Sequence, residues 1–209
     1  MNLQNVKNII FDLGGVILDI DPNKTVKAFA SHLYKKPETE LRQLYTKIVE
    51  GVHLIDYEKG KTSDAEFRSQ LCHKLDVNLS DDQFDKAFNA MLLNYTDERI
   101  SLLQDLGKKF NLYLLSNTCH IHYLWYNNLL QANYDVEELS VLFKKTYLSF
   151  EMGMRKPDLK IYQTVLNDAG LVAEETVFID DSLQNVKAAE AVGIKGIHKP
   201  ATTDLVTLF

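Results

Sequence analysis

Residues 8–16 read Asn8-Ile9-Ile10-Phe11-Asp12-Leu13-Gly14-Gly15-Val16, and the order of these side chains decides the fold. Ile9, Ile10 and Phe11 form a continuous apolar run, which is the pattern of a strand buried on both faces. An acidic residue and two glycines follow at once, so the strand delivers a carboxylate into a tight turn. The same pattern recurs downstream. Leu112-Tyr113-Leu114-Leu115 runs into Ser116 and Asn117, and Val177-Phe178-Ile179 runs into Asp180 and Asp181. A weaker run lies at Thr146-Tyr147-Leu148 and a last one spans Ile194 to Ile197. Between them, Pro157 and Asp158 open a helical pattern carrying Ile161, Tyr162, Val165 and Leu166 that stops at Gly170. Another passes through Val186, Ala188, Ala189 and Ala191 to Gly193. Buried strands alternating with helices imply an α/β fold, a Rossmann-like parallel sheet with helices on both faces.

The first interval differs. Residues 17–93 hold four helical patterns and no convincing strand. Asp21-Pro22 suits a helix start and puts Val26, Phe29, Ala30 and Leu33 on one face. A second pattern carries Leu41, Leu44, Tyr45 and Ile48. Ser63 with Glu66, and Ser80 with Gln83, have capping-box spacing and open the third and fourth. The expected organisation is therefore a core formed by residues 1–16 and 94–209, interrupted by a four-helix cap at 17–93. Tyr57 and Glu58 are assigned to a cap loop before Gly60, with a part in substrate choice.

Bulk properties narrow the function. The chain has 209 residues, 45% hydrophobic and 25% charged, with a net charge of −6. That acidity, and the lack of a basic tract, argue against general nucleic-acid binding. No apolar run approaches the roughly 20 residues a bilayer demands. The polar start from Met1 to Lys7 does not resemble a secretory signal. A cytoplasmic protein with no nucleic-acid, membrane or obligate protein partner is expected. Cys72 and Cys119 lack metal-ligand spacing and are expected to be free thiols.

In open α/β sheets, ligands bind at the carboxyl ends of the strands. The fold thus gathers Asp12, Ser116, Asn117, Asp180 and Asp181, and Lys156 precedes a helix that starts on the same rim. Taken singly each has a plainer reading: Asp180-Asp181-Ser182 as a helix cap, Ser116-Asn117-Thr118 as loop chemistry, Lys156 as a surface lysine. Together, three carboxylates, a hydroxyl and an ammonium suit phosphoryl transfer. Carboxylates bind a hard cation such as Mg²⁺, and Lys and Ser hold phosphate oxygens.

These residues stand in motifs that resemble the haloacid dehalogenase-like hydrolase superfamily, in the branch with a helical cap of C1 type (subfamily IA). Phe11-Asp12-Leu13-Gly14-Gly15-Val16 resembles motif one, Leu115-Ser116-Asn117-Thr118 motif two and Arg155-Lys156-Pro157-Asp158 motif three. Phe178-Ile179-Asp180-Asp181-Ser182 with Asn185 resembles motif four. The resemblance implies a Mg²⁺-dependent phosphatase with Asp12 as nucleophile, forming an aspartyl-phosphate. It implies Ser116, Asn117 and Lys156 around the phosphate, and Mg²⁺ held by Asp12, the carbonyl of Gly14, and Asp180 or Asp181.

Gly14 departs from the pattern. Most phosphatases of this family have a second Asp there, which protonates the leaving group and activates water. Three explanations are open. The substrate has a good leaving group, as in the glucose-1-phosphate-type sugar-phosphate phosphatases that share this glycine. Another group replaces the acid, with Asp19 and Asp21 as candidates, although turn and cap duties suit both. Or the activity is weakened, leaving a binding or regulatory protein. Metal-free haloacid dehalogenation is a further alternative, against which Asp180-Asp181 speaks. His120 and His122 are spaced too closely to share a helical face and form a metal pair. Tyr123, Trp125 and Tyr126 are expected to pack in the core or against the cap. The expected ligand is a small phosphorylated metabolite, in the first instance a sugar phosphate.

Overall fold

The computed structural model describes residues 3–33, 41–48 and 51–209. Five parallel strands, β1 (Asn8–Phe11), β2 (Asn111–Ser116), β3 (Lys145–Leu148), β4 (Thr176–Asp180) and β5 (Lys195–His198), form one sheet in the order β3-β2-β1-β4-β5. All five apolar runs named above become strands. β1 lies at the centre, where the strand order reverses, and Asp12 follows its last residue. Alternation explains the continuous run: Ile9 and Phe11 enter the core on one face, and Ile10 enters the core on the other.

Helices cover both faces. Ile100, Leu103 and Leu106 of α6 (Asp97–Gly107) and Tyr126 and Leu130 of α7 (His120–Tyr134) pack on the first. Ile161, Tyr162 and Val165 of α9 (Leu159–Ala169) and Ala189 of α10 (Leu183–Glu190) pack on the second. Asp158 caps α9 and Gly170 ends it at φ +62°. Between β3 and α9 lies the short α8 (Ser149–Met152).

Among the described residues, 17–93 contains five α-helices, not four: α1 (Pro22–Ala30), α2 (Leu41–Ile48), α3 (Val52–Glu58), α4 (Asp64–Leu75) and α5 (Asp81–Phe88). Asp21 caps α1 through Asn23 N, and both expected capping boxes form. Leu44 and Ile48 are buried as expected; the side chains of Leu41 and Tyr45 lie outside the described residues. The extra helix, α3, corrects the assignment of Tyr57 and Glu58 to a loop. Its N-cap is Gly51 with no side-chain bond, and it has no acidic first turn, so the usual start signals are missing. These helices share a core in which the Phe67 ring stacks on Tyr57 with centroids 4.2 Å apart, Phe84 and Phe88 pack against Phe67, and Phe29 packs against Phe84. Cys119 and Ile121 of the sheet domain join the same cluster.

Two extended passages connect insertion and sheet, and they bond to one another. Asp19 N donates to Asn94 O at 3.0 Å, Leu93 N to Asp19 O at 2.9 Å, and Asp21 N to Met91 O at 2.8 Å. Both cysteines are free thiols. No helix among the described residues is long and apolar enough to cross a membrane.

Candidate active site

β1, β2 and β4 end side by side, and this alone brings Asp12, Ser116 and Asp180 together. Lys156 arrives from the loop after α8 and is 1% exposed, a burial that would be prohibitive for an unpaired ammonium. Its Nζ donates to Asp12 Oδ1 at 2.6 Å, Asp180 Oδ2 at 2.7 Å and the Leu115 carbonyl at 2.8 Å. Burial works against the Lys156 charge, but Asp12 and Asp180 outweigh it and hold the ammonium above its ordinary range. Asn117 fixes the lysine's backbone: Oδ1 accepts from Lys156 N at 2.8 Å, and Nδ2 donates to Lys156 O at 3.0 Å. Ser149 Oγ ties the two loops together by accepting from Thr118 N and donating to Thr118 O.

Asp180 is fully buried and saturated. Besides Lys156, its oxygens accept from Ser182 N at 2.8 Å and from Asn185 Nδ2 at 3.0 and 3.1 Å. Asp181 is half-buried beside the turn after β1. Gly15 has φ +75°, and a Cβ there would run into the Asp181 carboxylate, so this turn requires glycine. Carboxylate oxygens of Asp12, Asp180 and Asp181 all lie within 4.8 Å of one another. Burial, opposed by Lys156 and reinforced by Asp180, holds Asp12 above the ordinary carboxylate range; burial and Asp180 do the same to Asp181. One ammonium does not offset three carboxylates, and the excess negative charge marks a place for a cation.

Every sequence-designated residue is therefore in one cluster or on its rim. The candidates to replace an acid at position 14 are not. Asp19 pairs with Arg99 at 2.7 Å and Asp21 caps α1. A Cβ on Gly14 would face Ile20 Cδ1 at 3.4 Å, so that side of the turn is an apolar wall. His120 bonds Asp64 of α4 at 2.7 Å, and His122 stacks on Phe88 with centroids 4.2 Å apart, which agrees with packing rather than ligation. Tyr126 is buried and Tyr123 packs edge-on against it.

A cavity of about 220 Å³ lies on the rim, lined by Gly14, Ser116, Asn117 and Arg155 from the sheet side and by Leu54 and Glu58 from α3. Arg155 Nη2 lies 2.9 Å from Glu58 Oε2, an ion pair between the sheet side and α3. Glu58 Oε2, Arg155 Nε, His122 Nε2 and Tyr126 OH have no hydrogen-bond partner among the described residues. All four residues line this cavity. Buried polar atoms are rarely left unpaired, so their grouping suits a hydroxylated guest. The sequence reading missed Arg155, although it stands directly before Lys156, and Lys199, which follows β5. Lys199 Nζ donates to Gly15 O at 2.8 Å and its backbone N to Asp180 O at 2.9 Å, clamping the turn after β1.

Comparison with known families matches residues 6–193 to the family described as haloacid dehalogenase-like hydrolase. A D-ribitol-5-phosphate phosphatase of Bacteroides thetaiotaomicron is 30% identical over 190 residues, 91% of this chain and 90% of that protein. The sesquiterpene phosphatase astK of Aspergillus oryzae is 30% identical over 193 residues, 92% of this chain and 89% of that protein. Among solved structures, the HAD family enzyme bt-2542 from Bacteroides thetaiotaomicron, in complex with magnesium and inorganic phosphate, is similar at TM-score 0.85. It is 34% identical, with 98% of this chain and 99% of that chain covered.

Proposed function

Because the chain belongs to the haloacid dehalogenase-like hydrolase family, we propose that it is a magnesium-dependent phosphomonoester hydrolase acting on a small polyhydroxylated phosphate, a sugar or sugar-alcohol phosphate. The observation that carries this reading is the buried Lys156 ammonium bonded to both Asp12 and Asp180, with Asp181 completing the carboxylate trio. All-oxygen donors packed this closely fit a hard divalent cation. Asp12, Asp181 and the backbone carbonyl of Gly14 would hold it. Asp180, whose oxygens already accept from Lys156, Ser182 and Asn185, positions the set instead. When bound, Mg²⁺ neutralises phosphate charge and so favours attack by an anionic nucleophile.

The chain's own groups supply the rest. Asp12 attacks phosphorus from the end of β1, and the ester oxygen leaves into the cavity lined by Glu58 and Arg155. Ser116 and Lys156 hold the equatorial phosphate oxygens as charge shifts during transfer. Water then cleaves the aspartyl-phosphate and restores Asp12. The relatives support this reading: one is a phosphatase of a sugar-alcohol phosphate, and another binds magnesium and inorganic phosphate. The unpartnered polar atoms in the cavity support a hydroxylated leaving group. A metal-free dehalogenase reading leaves the carboxylate trio without a purpose.

The test is hydrolysis of a panel of phosphate esters by wild type and Asp12→Asn, with Mg²⁺ and with chelator. We expect chelation to abolish turnover and Asp12→Asn to lower it at least ~10³-fold, as loss of a nucleophile does. Sugar and sugar-alcohol phosphates should outrank simple alkyl phosphates in kcat/KM. Equal rates for wild type and Asp12→Asn would remove Asp12 from the mechanism.

A further inference from the structure

A phosphate ester of an ordinary alcohol leaves as a strongly basic oxygen and needs a proton during departure. Position 14, where a carboxyl would do this, is glycine, and Asp19 and Asp21 are engaged elsewhere. The donor must therefore be found on the cavity into which the alcohol departs. Among the described residues lining that cavity, Glu58 is the one carboxyl. The other ionisable groups there are unsuited. Arg155 does not give up its proton. Burial pushes the Tyr126 hydroxyl well up and His122 down to about 4, so the imidazole lacks its second proton near neutrality.

We propose that Glu58, a residue of the inserted helices, is the general acid and base of this enzyme, in the place of a carboxyl at position 14. This rests on the phosphatase reading above. Three features of its setting support the assignment. Oε2 is buried, and apart from its ion pair with Arg155 it has no hydrogen-bond partner among the described residues, so a guest competes with that one contact. The charge contact with Arg155 holds the carboxyl on the cavity that Ser116 and Asn117 also line, near enough to Lys156 to feel its charge. The end of α3 is locked on the sheet domain. Gly60, at φ +63°, lets the turn after α3 approach so closely that a Cβ would run into the Phe150 carbonyl of α8. Ile121 N of α7 donates to the Tyr57 hydroxyl at 3.1 Å. Burial also raises the affinity of Glu58 for a proton, against the pull of Arg155 and Lys156, and an arriving phosphate dianion adds to that.

The steps balance. As Asp12 forms its bond to phosphorus, the P–O bond to the alcohol breaks and the departing oxygen takes the proton of the Glu58 carboxyl. The resulting carboxylate then removes a proton from water, whose oxygen attacks the aspartyl-phosphate. Inorganic phosphate leaves, Asp12 is a carboxylate again and Glu58 a carboxyl.

Glu58→Gln keeps the shape and removes the exchangeable acid. The probes are p-nitrophenyl phosphate, whose phenol leaves without help, and D-ribitol 5-phosphate and ethyl phosphate, whose alcohols do not. With the alkyl esters, single-turnover transfer to Asp12 should fall ~10²-fold or more. With p-nitrophenyl phosphate, the variant should release a stoichiometric burst of p-nitrophenol at the wild-type rate, then turn over slowly as the aspartyl-phosphate accumulates. Glu58→Asp, which keeps the carboxyl, should recover part of the alkyl-ester rate, and thermal melting of both variants controls for folding. Wild-type rates with the alkyl esters would overturn the proposal. So would an equal loss for burst and alkyl transfer, which is the outcome for a residue that merely braces the cap. Absence of hydrolysis by the wild type with all probes would instead sink the phosphatase reading, and this proposal with it.

Discussion

Lys156 makes three hydrogen bonds in a space nearly sealed from solvent, and two of them go to carboxylates that no other ammonium reaches among the described residues. Replacing it with Met keeps its length and bulk but strands Asp12 and Asp180. We predict that Lys156→Met abolishes measurable turnover and destabilises the metal-free protein by about 3–5 kcal/mol, the usual cost of removing one partner from a buried pair. Urea unfolding in chelator would read the second effect; a midpoint unchanged from wild type would mean the ammonium does not stabilise the trio. At this scale most of the site was legible, because strand-end residue types declare themselves. Asp12, Ser116, Asn117, Lys156, Asp180 and Asp181 could be named in advance. Arg155 stood within motif three without a role of its own, and Lys199 could not be named, since a lone cation in a loop has no pattern and its partners lie far away in the chain.

The elements of the insertion decide what reaches those residues. α3 ends in Glu58, and its seat depends on Gly60 meeting the Phe150 backbone. Alanine there must adopt a left-handed backbone, at roughly 1–2 kcal/mol, and must push the turn off α8. Gly60→Ala is thus predicted to lower kcat/KM at least ~10-fold with alkyl esters, chiefly through kcat, because Glu58 loses its register. Steady-state kinetics beside a thermal melt would check this; unchanged kinetics would show that the seat tolerates a methyl group. α3 is also the element the sequence hid. Strong caps announced α1, α4 and α5, whereas α3 starts at a glycine with no side-chain cap and runs for seven residues. Its helicity comes from burying Leu54 and Tyr57 among the phenylalanines of the insertion, a long-range effect that local propensity does not report.

For the molecule as a whole, the interface between sheet domain and insertion contains a group that couples folding to pH. His122 of α7 is buried against Phe88 of α5, and burial lowers its pKa from 6.5 to about 4. The unfolded chain takes up that proton first. The stability tied to the neutral ring is therefore complete above pH 6.5 and is lost as pH falls towards 4. Between about pH 7.5 and about pH 5 the loss from this residue should be roughly 2 kcal/mol. His122→Phe keeps the stack and cannot titrate, so it should flatten this part of the curve in urea unfolding at the two pH values. A variant as pH-sensitive as wild type would exclude His122 as the cause.

The bonded passages at Asp19–Asp21 and Met91–Asn94 carry one more implication. They bring the two ends of a long segment side by side beyond the carboxyl end of the central strand, in a sheet whose five strands all lie outside that segment. Recombination could delete, lengthen or exchange everything between them and leave β1 in register with its neighbours. On such a plan the phosphate-handling half can stay as it is while the half that meets the alcohol is changed. If Glu58 handles the proton, the division cuts deeper: the acid sits on the inserted half and not on the sheet, and losing the insertion would then cost catalysis as well as choice of substrate.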